Sequence, residues 1–200
     1  MKSKLSRRTL LKAGVALSVL GLAGCKTEEP VRFHGTDVTG ASYGRDFRLT
    51  DPDGRERTLS DFKGKAVMLL FGYTQCAAVC PTALARAAAV KHLLGKDGDR
   101  LQVLLVSVDP ERDTPAVLKA YTAAFDPSFV ALYGDPERLA QTAREFDFVY
   151  KKVPTGASYS MDHTTAAYAY DPQGKLRLKL SHEQSAQECA DDLRKLLRTA

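Results

Sequence analysis

Hydrophobic and polar positions along the 200-residue chain change period several times, and each change marks an element. Residues 66–73 (AVMLLFGY) and 101–108 (LQVLLVSV) are near-continuous apolar runs, which predict strands covered on both faces. After Pro81 a helical pattern runs to about residue 94. Thr114-Pro115 reads as an N-cap followed by proline at the first helical position, and Val117, Leu118, Tyr121, Ala124 and Phe125 then share one face. A short strand near 129–133 leads to a helix over 136–146, with Leu139, Ala143 and Phe146 inward. Residues 45–50 and 55–59 flank Asp51-Pro52-Asp53-Gly54, and 166–170 and 176–180 flank Asp171-Pro172-Gln173-Gly174, so both read as hairpins. A closing amphipathic helix carries Ala186, Cys189, Leu193, Leu196 and Leu197.

Buried strands alternating with helices and finished by a hairpin and a helix predict an α/β fold, a thioredoxin-like sandwich with an extra N-terminal β-hairpin, over 44–200. The first 43 residues read differently. Residues 1–12 are basic, and 13–23 (AGVALSVLGLA) are apolar but too short to span a bilayer of about 30 Å. The stretch ends in Leu22-Ala23-Gly24-Cys25, which looks like a bacterial lipobox, with Cys25 acylated and 1–24 removed as a signal peptide. Ser6-Arg7-Arg8-Thr9-Leu10-Leu11-Lys12 also resembles a twin-arginine export signal. Residues 25–43 are polar and aperiodic, and read as a flexible tether between membrane and domain.

Charge follows the same division. The formal net charge is +5, but Lys2, Lys4, Arg7, Arg8 and Lys12 precede Cys25 without an acid among them. The other 24 basic residues balance the 24 acids, so the folded part carries no nucleic-acid footprint. A lipid anchor on an exported chain places the domain in the bacterial cell envelope, on its periplasmic, oxidising side.

In that compartment the cysteines decide the chemistry. Cys76 and Cys80 lie four apart, after a buried strand and at the start of a helix, where their side chains share one face. They can close a disulfide or grip one soft metal ion, and the helix N-terminus lowers thiol pKa. A bridge across three residues restricts the unfolded chain little, so the pair is placed for chemistry rather than stability. Cys189, on the apolar stripe of the last helix, reads as an inert small hydrophobe. His34, His92 and His182 read as uninvolved, and Asp162 as solvated. His163 follows the flexible-looking segment Val153-Pro154-Thr155-Gly156 and reads as lying on a mobile loop, where a lone histidine is more often a surface or core residue than a ligand.

Four stretches together resemble the Sco/SenC copper-binding proteins. They are Leu59-Ser60-Asp61-Phe62-Lys63-Gly64-Lys65, Gly72-Tyr73-Thr74 with Cys76 and Cys80-Pro81, Ser107-Val108-Asp109-Pro110-Glu111-Arg112-Asp113-Thr114-Pro115, and Asp162-His163-Thr164 with Tyr168, Asp171-Pro172 and Gly174. The resemblance covers about 44–197 and implies that Cys76, Cys80 and His163 bind one copper ion, as Cu(I) or Cu(II). It further implies a metallochaperone rather than an enzyme, delivering copper to, or preparing the thiols of, the binuclear copper centre of cytochrome c oxidase or another exported copper protein. Where the family commonly has Pro-Asp after the first cysteine, this chain has Ala77-Ala78, which removes a carboxylate but none of the three ligands. Two thiolates and an imidazole independently suit a soft ion, though zinc accepts the same set.

Three other functions compete with copper delivery. A thiol–disulfide oxidoreductase acting on an exported partner uses the same cysteine pair, although general enzymes of that type have two residues between the cysteines and commonly a preceding Trp. Here Gln75 holds that place and the chain has no Trp. A peroxiredoxin-like peroxidase is excluded by Tyr73 and Leu69 at the positions it would fill with Thr and Pro. Copper storage or sensing would use the same three ligands.

Overall fold

The computed structural model describes residues 31–198; the expected signal peptide, lipidation site Cys25 and twin-arginine pattern lie outside the described residues. Along the chain come strands β1 (Thr36–Asp37), β2 (Leu49–Thr50), β3 (Glu56–Arg57) and β4 (Ala66–Gly72), then helix α1 (Val79–Leu93). Strand β5 (Leu101–Ser107), helix α2 (Pro115–Ala123), strand β6 (Val130–Leu132) and helix α3 (Pro136–Glu145) follow. Strands β7 (Tyr150–Thr155), β8 (Ser158–His163), β9 (Ala167–Tyr170) and β10 (Leu176–Leu180) precede helix α4 (Ala186–Arg198). The main sheet has the order β1-β10-β9-β4-β5-β6; β4, β5 and β6 are parallel, and β9 runs antiparallel beside β4.

The sheet is covered on both sides, which is why β4 and β5 carry no exposed position. Val67, Leu69 and Phe71 of β4 enter one core with Leu104, Phe146, Tyr168 and Tyr170, beneath Leu139 and Ala143 of α3. Ala66, Met68 and Leu70 enter the other, with Leu84, Ala87 and Val90 of α1 and Leu193, Leu196 and Leu197 of α4. The two Tyr hydroxyls in the first core are satisfied, donating to the Phe146 and Gly44 carbonyls at 2.8 Å each.

Both Asp-Pro-x-Gly turns use one device. Asp51 Oδ1 accepts the Asp53 and Arg55 N–H groups while its Oδ2 takes Arg57; Asp171 does the same with Gln173, Lys175 and Arg177. Gly54 and Gly174 supply the positive φ of +81° and +78°.

Four details differ from the sequence reading. Residues 33–43 are not a free tether: β1 pairs with β10, and the fully buried Asp192 accepts the backbone N–H groups of His34 and Gly35 at 2.8–3.0 Å. A two-residue strand leaves too little periodicity to read. Helix α1 begins at Val79, before Pro81, which occupies the first turn where its missing N–H costs nothing. Helix α2 buries Leu118 and Thr122, while Val117 and Ala124 face outward. The stretch around Val153–Gly156 is a β7–β8 hairpin with Pro154 opposite Tyr159 and Gly156 at its turn, so His163 ends a strand instead of riding a loose loop. That hairpin buries little, and its pattern is mostly polar. No helix among the described residues is long and apolar enough to cross a membrane.

Asp192→Ala leaves the two N–H groups of 34–35 without their carboxylate. It is expected to cost about 2–3 kcal/mol and lower the urea midpoint by roughly 1 M, without altering thiol reactivity at Cys76. An unchanged midpoint would show that β1 is held by its strand pairing alone.

Candidate metal centre

The site lies at the carboxyl ends of β4 and β5, the usual crevice of a parallel sheet. Strand β4 stops at Gly72, and a Cβ there would stand 2.8 Å from Cys80 Sγ, so only glycine lets this sulfur sit against the strand. Residues 73–78 then turn: Cys76 N–H donates to the Tyr73 carbonyl, and Thr74 donates through both its N–H and its hydroxyl to Asp113. Buried Asp113 also accepts the Ser107 hydroxyl at 2.6 Å, tying the turn to the end of β5.

Helix α1 opens on Ala78, which has no capping side chain. The sulfur of Cys76 takes that role, accepting the Cys80 N–H at 3.4 Å. Burial alone would push the Cys76 thiol up, but the N–H groups of Cys80, Ala78 and Val79, together with the Cys80 thiol, hold it below the ordinary value. Cys80 is the opposite case. It is 4% exposed, and burial, with smaller contributions from Cys76 and Asp113, pushes its thiol up to about 12. The two cysteines are not bridged, and their settings differ: Cys76 is half-buried with its thiol pKa lowered, Cys80 buried with its thiol pKa raised.

His163 completes the group. Its Nδ1 lies 2.9 Å from the Thr164 carbonyl, which can only accept, so Nδ1 carries the hydrogen and the Nε2 lone pair faces Cys80 Sγ at 3.8 Å. Such a backbone partner is the usual way a ligating histidine is oriented. The rings of Tyr73 and Phe148 flank it at 6.1 and 6.0 Å. An ion about 2.3 Å from a thiolate and about 2.05 Å from an imidazole nitrogen, as in zinc sites, needs the two atoms about 3.8 Å apart at a trigonal angle. Cys80 and His163 have that spacing. Among the described residues no three His, Cys, Asp or Glu side chains form a finished metal cage. The Cys76 sulfur lies against both the Cys80 N–H and the Cys80 thiol.

The remaining candidates stay apart from this group. Cys189 is buried in the second core with its thiol pushed up by burial, as expected of an inert cysteine. His34, His92, His182 and Asp162 are exposed. Sequence reasoning gave no role to Asp109, Arg112 or Tyr159, which form a cluster joining the loop after β5 to the β7–β8 hairpin. Asp109 and Arg112 fall in one of the stretches that carry the family resemblance, but as a charged run they gave no sign of pairing with Tyr159.

The SCO1/SenC family model matches residues 36–198. The mitochondrial SCO2 homologue of Bos taurus is 32% identical over 200 residues, spanning 98% of this chain and 75% of its own length. Among solved structures, Bradyrhizobium japonicum ScoI with copper bound is 40% identical, with a TM-score of 0.71 over 78% of this chain and 100% of its own. Apo Sco1 from Thermus thermophilus is 37% identical, with a TM-score of 0.75 over 83% of this chain and 98% of its own. These superpositions bear out the thioredoxin-like α/β arrangement. A match running from the first paired strand to the last helix settles the family: the chain belongs to SCO1/SenC.

Proposed function

We propose that this protein is a copper carrier of the bacterial cell envelope, anchored through lipid on Cys25, which holds one copper ion by Cys76, Cys80 and His163. The observation that carries the reading is the 3.8 Å approach of Cys80 Sγ to a histidine nitrogen whose lone pair faces it. Cys76, four residues earlier, supplies a second sulfur whose pKa is held below the ordinary value. Soft thiolates with an imidazole suit Cu(I) and also accept Cu(II), and a relative 40% identical was solved with copper bound. Three ligands at the surface leave a position open to an incoming ligand of the acceptor. The family's part in cytochrome c oxidase assembly makes the copper-centre subunit of that oxidase the favoured acceptor, with another exported copper protein as the alternative.

One observation favours a second role for the same pair. Unequal thiols, one acidic and half-exposed, the other buried and protonated, are arranged for thiol–disulfide exchange with Cys76 attacking. The two roles exclude each other at any instant, since a Cys76–Cys80 disulfide offers no thiolate to a metal.

Anaerobic Cu(I) competition against a chromophoric chelator tests the site. Reduced full-length protein is expected to take up one copper per chain, His163→Ala to bind at least about tenfold more weakly, and Cys76→Ser/Cys80→Ser or the oxidised protein to lose tight binding. Equal affinity in oxidised and reduced protein, or indifference to His163, would sink the three-ligand site.

The pH dependence has a definite sign. Copper must displace the Cys80 proton at any pH below about 12, so affinity rises about tenfold per unit of pH from that group alone. Below the lowered pKa of Cys76 a second proton is displaced and the slope steepens. A Cu(I) affinity independent of pH between 6 and 9 would remove Cys80 from the ligand set.

A further inference from the structure

The hairpin that carries His163 has no strand pairing to the main sheet. It is a two-stranded ribbon with Met161 as its one buried residue, and such ribbons are marginal in water by themselves. Beyond the packing of Met161, Tyr150 and Tyr159 against the first core, the polar contacts that hold it converge on one side chain. Arg112 Nε pairs with Asp109 Oδ2, and its Nη1 donates to the Tyr159 carbonyl at 2.9 Å. Its guanidinium stacks over the Tyr159 ring at 3.7 Å, with Tyr73 at 5.7 Å beyond. Tyr159 closes the circle by donating from its hydroxyl to Asp109 Oδ1 at 2.8 Å. Asp109 is 2% exposed, so both of its oxygens depend on these two partners. At the rim, Lys152 of β7 pairs with Glu111 at 2.6 Å and lies over the same ring. Tyr159 is four residues before His163 on β8, and therefore on the same face of the strand.

We propose that Arg112 is a positioning residue for His163: with Asp109 and Tyr159 it latches the β7–β8 hairpin to the loop after β5, and the latch sets how long copper stays bound. The second half rests on the copper reading above; the first does not. Copper touches none of the three residues. They act by fixing where the imidazole stands, so their loss resembles loss of the histidine while sparing the cysteine turn.

The test uses full-length reduced protein, with Arg112→Gln, Tyr159→Phe, His163→Ala and the double variant Arg112→Gln/His163→Ala. Without metal, hydrogen exchange in 150–163 is expected to quicken at least about tenfold in Arg112→Gln and less in Tyr159→Phe, while β4 and β5 keep their protection and Cys76 alkylates at the parent rate. With Cu(I), release to a chelator is expected to quicken roughly 10–100-fold in Arg112→Gln. The double variant should release no faster than His163→Ala, because with the imidazole gone the latch has nothing left to position. Unchanged hairpin protection in both latch variants overturns the proposal, and so does a double variant whose loss is the product of the single losses. If Arg112→Gln loses protection throughout the chain, Tyr159→Phe, which keeps the ring and the ion pair, decides by the same measurements. Copper binding indifferent to His163→Ala would instead overturn the carrier reading and the residence-time half, leaving the exchange result to decide the latch.

Discussion

Cys76 stands where a helix ordinarily takes an oxygen from Ser, Thr or Asp: its sulfur accepts the Cys80 N–H in the first turn of α1, and the residue at the cap position is an alanine with nothing to offer. The helix start and the reactive sulfur are therefore one feature. Partial positive charge at the helix end favours the thiolate, and the thiolate in turn satisfies donors that would otherwise be left to water. Cys80, one turn further in and packed against a glycine that leaves just enough room, receives the burial without the donors. From two identical side chains the fold makes one thiol with its pKa lowered and one with its pKa raised.

The Cys80 sulfur faces a histidine nitrogen, and this spacing is what supports the copper reading over a redox pair alone. The Thr164 carbonyl fixes the tautomer, so the sulfur and nitrogen face each other across a gap the width of a coordinated ion. On the proposed copper reading, an ion arriving there takes the place of a thiol hydrogen.

The two buried strands, the closing helix and both Asp-Pro-x-Gly hairpins were legible in the sequence, because each has a strong local cause: unbroken apolar runs, a clear apolar stripe, and an aspartate that folds its own turn. The cysteine pair was legible from spacing and from its place between strand and helix. His163 was identified as a partner, yet its setting was misread, since the β7–β8 ribbon has no apolar alternation and carries a proline that argues against a strand. β1 is two residues long, and the residues just before it are held by Asp192, 157 and 158 positions away. The cluster at Asp109, Arg112 and Tyr159 was hidden for a related reason: a charged run looks solvated until the chain that covers it is seen. What escaped the sequence was stabilised by distant partners, and what was legible was stabilised by near ones.

X-ray absorption at the copper edge of the Cu(I)-loaded, reduced protein tests the three-ligand centre most directly. The account predicts two sulfur neighbours and one nitrogen in the parent, with the nitrogen lost in His163→Ala and the sulfurs retained. A parent spectrum of two sulfurs alone, or a nitrogen that survives His163→Ala, would contradict it.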